Sequence, residues 1–215
     1  MCIRDRNITI QIRLKLLFLN NITMQNEFTF FIYNTLVQSG TLLALKKIVP
    51  VTEHPPVIVC IGSDLSIADS LGPICGTKLK DKLKGLNCYV YGTLSKPITA
   101  HEIRFLNDFL HQTHPLSPII AIDAAVGAAG DIGLIKVAKR GVRPGSGANK
   151  KLAKVGDASV IGIVAEKSVF NFSILSATRL NMVYKMADAV SEAVATFVMD
   201  YLNTSSNSES FKSAI

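Results

Sequence analysis

Val57-Ile58-Val59-Cys60-Ile61-Gly62-Ser63-Asp64-Leu65-Ser66-Ile67-Ala68-Asp69-Ser70-Leu71-Gly72-Pro73 decides the fold. Its first five residues are apolar, four of them β-branched, and the run stops at a glycine. A strand with no polar face is a strand buried on both sides, as in a parallel sheet. Downstream, residues 70–84 read as a helix, with Leu71, Ile74, Cys75 and Leu79 on one side and Lys78, Lys80, Asp81 and Lys82 largely opposite. Cys88–Tyr91 is a second short strand, Thr99–His111 a second helix with Ile103, Leu106 and Leu110 in phase, and Pro118–Ile122 a third buried strand ending at Asp123. The order βαβαβ argues for an α/β fold, a doubly wound sheet flanked by helices.

Further along, Ile132–Ala138 and Ala158–Ala165 read as two more strands separated by a glycine-rich basic loop, Arg140 to Lys151. An apolar period of 3.6 residues from Ile174 to Leu202 predicts one long helix, and the Ser/Asn-rich residues 203–215 a frayed tail. Upstream of the core, Phe30–Lys46 reads as an amphipathic helix packed on the domain. Met1-Cys2-Ile3-Arg4-Asp5-Arg6 resembles a translated sequencing adapter, so residues 1–25 are expected to be dispensable. The expected layout is thus an extension over 1–25, a single domain over 26–203 and a disordered tail over 204–215.

Composition narrows the function. The 215 residues are 48% apolar and 18% charged, enough to bury one real core and too apolar for disorder. Of the formal +7, residues 1–50 hold +4, so the core domain is only mildly basic and no nucleic-acid partner is expected. The local exception is Ile132–Gly156, with Lys136, Lys139, Arg140, Arg143, Lys150, Lys151 and Lys154 and no carboxylate. The apolar window Phe28–Leu45 contains Asn34, Gln38, Ser39 and Gly40, which argues against a membrane span, and Arg13 and Lys15 interrupt anything like a secretory signal. Four cysteines without a Cys-x-x-Cys pair suit reduced thiols in a cytosolic protein, and with the four histidines they share no zinc-ligand spacing. No metal or other cofactor is expected.

In open α/β sheets chemistry gathers at the carboxyl ends of the strands. Three carboxylates follow such ends here: Asp64, Asp69 and Asp123. Two carboxylates brought close together split their proton affinities, so one can act as base while the other keeps a proton to donate. Asp69, at a helix start, is expected to be the base because the helix end favours its ionised form; Asp123, after an apolar strand, is expected to be the acid. The structural alternatives are that Asp69 is only an N-terminal cap or forms a capping box with Ser66, that Asp123 is a turn former, and that Asp64 closes an Asx turn. His101 reads as a surface histidine, and His111 and His114 carry no stronger signal. The loop Pro144-Gly-Ser-Gly-Ala-Asn149 lacks both nucleotide-binding glycine patterns, and reads either as a positively charged flap beside the acidic edge or as a plain surface loop. Asp64, Arg143, Asn149 and Lys150 are the candidate substrate-binding residues.

Five blocks in order resemble the YyaC family of sporulation proteins: Val57–Leu79, Val90–Pro97, Ile119–Ala124, Pro144–Lys150 and Val155–Asp157. Ala68 stands where that pattern has glycine. The family is similar in turn to the spore germination protease and, more distantly, to hydrogenase maturation proteases, so the resemblance implies their fold, a three-layer αβα sandwich with a mostly parallel central sheet, phosphorylase- or hydrolase-like. In the germination protease the catalytic aspartates lie in an Asp-x-Leu-Gly-Pro and an Ile-Asp-Ala segment, so the resemblance implies Asp69 and Asp123 as the pair. The nickel used by hydrogenase maturation proteases requires a carboxylate near the second strand, where Tyr91-Gly92-Thr93 has none. The expectation is therefore a metal-independent, sporulation-associated, aspartate-dependent endopeptidase in the cytoplasm of mother cell or forespore, acting on a protein or peptide, with self-association left open. The alternatives are a non-catalytic peptidase-like factor that binds a protein partner, and a nucleoside-phosphorylase-like enzyme, which would need arginines such as Arg143 and Arg179 around a phosphate.

Overall fold

Residues 26–144, 153–167 and 178–212 are described by a computed structural model. In chain order the elements are β1 (Glu27–Phe31), α1 (Val37–Ile48), β2 (Val57–Cys60), a 3-10 turn (Ile67–Asp69), α2 (Leu71–Lys82), β3 (Tyr89–Tyr91), α3 (Ile103–Thr113), β4 (Ile119–Gly127), a second 3-10 turn (Ala129–Asp131), β5 (Leu134–Ala138), β6 (Ala158–Glu166) and α4 (Leu180–Lys212). The described strands form one sheet in the order β1-β5-β6-β4-β2-β3. β3, β2, β4 and β6 pair in parallel, while β5 runs antiparallel to both β6 and β1.

All four residues of β2 are buried, as the unbroken apolar run requires. On one face Ile58 and Cys60, with Ile120 and Ile122 of β4, pack under α1, α2 and α4 through Leu45, Leu79, Met186 and Phe197. On the other, Val57 and Val59 with Ala121 meet Ile103, Leu106 and Leu110 of α3, the only described helix on that side. These are three layers around a mostly parallel sheet, and each fully buried Leu, Ile or Phe contributes about 1.5–3 kcal/mol.

Three elements differ from the sequence reading. The expected helix from Phe30 is instead β1 followed by α1: Phe28 and Phe30 pack against the core while Thr29 and Phe31 face outward, a period of two that the neighbouring apolar residues obscure. β4 does not end before Asp123 but runs on to Gly127, because β6 continues to pair with it past a register shift at Ala125/Val126. α4 continues to Lys212, past the expected end of order at residue 203. It is tied down at Tyr201 and Ser205: the Tyr201 hydroxyl accepts from the Thr52 N–H (2.9 Å) and donates to the His54 carbonyl (3.0 Å), and Ser205 donates to the Thr52 carbonyl (3.0 Å). The proposed extension over residues 1–25 lies outside the described residues.

Candidate active site

β2, β4 and β6 point their carboxyl ends the same way, and β2 delivers the chain to that edge at Gly62. Gly62 adopts φ +140°, and a Cβ there would lie 2.1 Å from the Asp69 carbonyl oxygen. Only glycine lets the 3-10 turn fold back this tightly, and the Ser63 N–H then donates to that carbonyl (3.0 Å). Gly72 does the same for α2, since a Cβ would sit 2.0 Å from the Ile61 carbonyl oxygen. The Asp-Ser-Leu-Gly-Pro segment is therefore a device for seating a helix start directly on the end of β2, with Asp69 just ahead of it.

Asp123 reaches the same edge from β4. It comes one residue after Ile122, which pairs with Cys60, and its side chain shares the α3-side face with Ala121. It is 7% exposed, and its Oδ1 accepts the Ala124 N–H at 2.8 Å. The two carboxyl groups are close enough to feel one another. Burial raises Asp123 well above the ordinary aspartate range, the nearby Asp69 raises it further, and the Ala124 N–H offsets part of this. Burial likewise pushes Asp69 up to about 6, partly offset by the Ser63 N–H. Neither carboxylate has a lysine or arginine partner among the described residues.

The sequence reading assigns Asp69 a pull from the helix start toward its ionised form. Its shift is upward, since burial outweighs any pull from the helix start. The capping box is also absent: Ser66 makes no side-chain cap bond, and the first turn of α2 is preceded by Ser70, whose hydroxyl donates to the Ile67 carbonyl (2.8 Å). Asp123 is no turn former, because it lies inside β4.

Among the described residues, no ion pair links the remaining candidates to this pair. Asp64 is exposed on the loop between Gly62 and the 3-10 turn. Arg143 is exposed beside the Val142–Val155 bridge, which leads into the start of β6, and no contact links it to either aspartate. Asn149 and Lys150 lie outside the described residues. Arg179 is exposed just ahead of α4. His101 and His111 are exposed, whereas His114 is buried and bonds the Tyr91 hydroxyl through Nε2 (2.8 Å). No group of three or more His, Cys, Asp or Glu among the described residues could hold a metal. The sequence reading missed the half-buried ledge Ala124–Gly127 beyond Asp123, because small residues after an aspartate resemble a turn.

Residues 29–193 match the family described as "Protein of unknown function (DUF1256)". The chain belongs to this family. Within it, the "Uncharacterized protein YyaC" of Bacillus subtilis (strain 168) is 38% identical over 141 residues, which span 66% of this chain and 68% of YyaC. The family named by the five sequence blocks is thus the one found. Among solved structures, that of a [NiFe] hydrogenase maturation protease, HycI from Thermococcus kodakarensis KOD1, aligns with the DUF1256 chain at TM-score 0.45 and 15% identity, covering 67% of this chain and 92% of HycI.

Proposed function

We propose that this chain is an aspartate-dependent endopeptidase of the sporulating cell, with Asp69 as general base and Asp123 as general acid. The observation that carries the reading is a pair of carboxyl groups sunk into one sheet edge, each raised by burial and unpaired with any described cation. Such a pair titrates as a unit in two steps. Above about pH 6 the first proton leaves Asp69, while Asp123 keeps its own. Asp69 then accepts a proton from a water whose oxygen bonds to the peptide carbonyl carbon, and Asp123 gives its proton to the carbonyl oxygen. On collapse the hydroxyl returns a proton to Asp123, the C–N bond breaks, and the proton held by Asp69 passes to the leaving nitrogen. Both residues end as they began, and no metal enters the scheme.

The test is purified protein incubated with an extract of sporulating cells, with and without chelator, new peptide termini being read by mass spectrometry. Asp69→Asn and Asp123→Asn should each lower cleavage by about 10³-fold, within the range for loss of a general acid or base. Wild-type cutting by either variant would refute the pair. A second reading, a non-catalytic factor that binds a protein partner, is favoured by Leu65, which stands 94% exposed on the loop just before the Asp69 turn. Under that reading neither substitution alters any product, while Leu65→Ser abolishes capture of the partner.

A further inference from the structure

Register places a cation in the same row as Asp123. Ile161 of β6 pairs with Asp123 on one side and with Lys136 of β5 on the other. Paired residues project from the same face of a sheet, so the three side chains share the α3-side face, and the alternation agrees: Ile135 and Val137 are buried under the opposite layer. α3 covers the β2 and β4 side of this face. On the β5 and β1 side no described helix covers the face: Leu134, Lys136 and Ile161 are half-buried, and Thr29 and Phe31 are exposed. The Lys136 ammonium makes a single described contact, with the Asp131 carboxylate at 3.8 Å, too long for a hydrogen bond, and both side chains are substantially exposed (30% and 40%). It is a lightly held cation on an accessible floor that leads to the reacting edge.

Resting on the endopeptidase reading, we infer that Lys136 is a substrate-binding residue that holds a carboxylate of the peptide, and so selects where the chain is cut. Two inter-strand steps separate Lys136 from Asp123, about 9–10 Å, and an extended peptide advances about 3.3 Å per residue. A peptide crossing the row with its scissile carbonyl at Asp123 thus brings a carboxylate about three residues away to the ammonium. That carboxylate is either an acidic side chain or the peptide's own C-terminus. Asp123 does not oppose it, since a carboxyl group that keeps its proton adds no negative charge to the row. Asp131 is the competitor, and its long contact is readily given up.

The test titrates the ¹⁵N-labelled full chain with three probes: acetyl-tetra-alanine with a free carboxylate, the same peptide amidated, and an amidated analogue carrying one internal glutamate. At least one carboxylate probe should shift the Ile161 and Lys136 amides and bind about tenfold tighter than the neutral amide, as expected of a charge-assisted contact. Lys136→Gln should abolish that preference, the exposed Lys96→Gln should leave it, and Asp131→Asn should strengthen it. Preference for the free carboxylate alone identifies a C-terminus; equal preference for the glutamate peptide identifies an internal acidic residue. Equal binding of all three probes, or an undiminished preference in Lys136→Gln, overturns the inference. The titration reads binding whether or not any bond is cut, so it separates failure of this inference from failure of the peptidase reading.

Discussion

Two aspartates meet β4, one against its start and one within it, and the two are treated in opposite ways. At its start, Asp157 accepts the Ile119 N–H through Oδ2 (2.9 Å) while its own N–H donates to the Ile119 carbonyl (2.8 Å), with the carboxylate at the surface. Inside β4, Asp123 is buried, accepts the N–H of the next residue, and has Asp69 for a neighbour. The first arrangement completes the backbone bonding of a strand end. The second is unfavourable for the ionised group and keeps the proton in place. Sequence alone presents both as aspartates beside apolar strands; their surroundings make one a fastener and hold the other toward its protonated form.

That contrast can be broken by substitution. The largest effect belongs to Asp123→Asn, which should cut peptide cleavage by about 10³-fold, roughly 4 kcal/mol of transition-state stabilisation. At pH 7.5 it should also raise the melting temperature, because a neutral amide replaces a group that resists ionising. Gly72→Ala comes next. Its Cβ would meet the Ile61 carbonyl at 2.0 Å, whereas one at Gly130 meets nothing within 4 Å. Urea unfolding should show a loss of about 3 kcal/mol or more at Gly72 and less than about 0.5 at Gly130. Asp157→Ala should cost about 1–2 kcal/mol of stability by leaving the Ile119 N–H without its acceptor, with no change in cleavage rate.

The smallest effect is the pH dependence of stability contributed by Asp69. Its folded value, about 6, lies above the ordinary 3.8, so between these the folded chain holds a proton that the unfolded chain has lost. Stability from this group is complete below about pH 4 and falls as pH rises through about 6. Asp69→Asn should flatten that slope and gain about 1 kcal/mol at pH 7.5, a figure reduced because the group is partly open to solvent. Thermal melts from pH 4 to pH 8 measure it, and a slope of opposite sign would place the carboxylate beside a cation.

The fold was legible where burial is two-sided. Val57–Ile61 and Pro118–Ile122 could be read as strands because every residue is apolar. β1 was not, because its alternating Phe28–Phe31 runs straight into the apolar residues of α1, and an edge strand has no unbroken core pattern of its own. The length of β4 past Asp123 depends on β6, nearly forty residues later in the chain. The coupling of Asp69 to Asp123 could be anticipated, since Asp69 follows the end of β2 and Asp123 lies on the adjacent strand one residue past its pairing with β2. Lys136 could not, because its place depends on β5 turning back against β6, and nothing local in Leu134–Ala138 states the strand order.

Titration of the aspartate carboxyl carbons by ¹³C NMR, in the wild type and in Asp69→Asn, is the most direct measurement. Asp69 is expected to titrate near 6, and Asp123 well above the ordinary aspartate range, moving downward when Asp69 is neutralised. Both groups titrating independently near 4 would mean that they neither share the edge as a coupled pair nor hold a proton at neutral pH, and the proposed chemistry would fall with them.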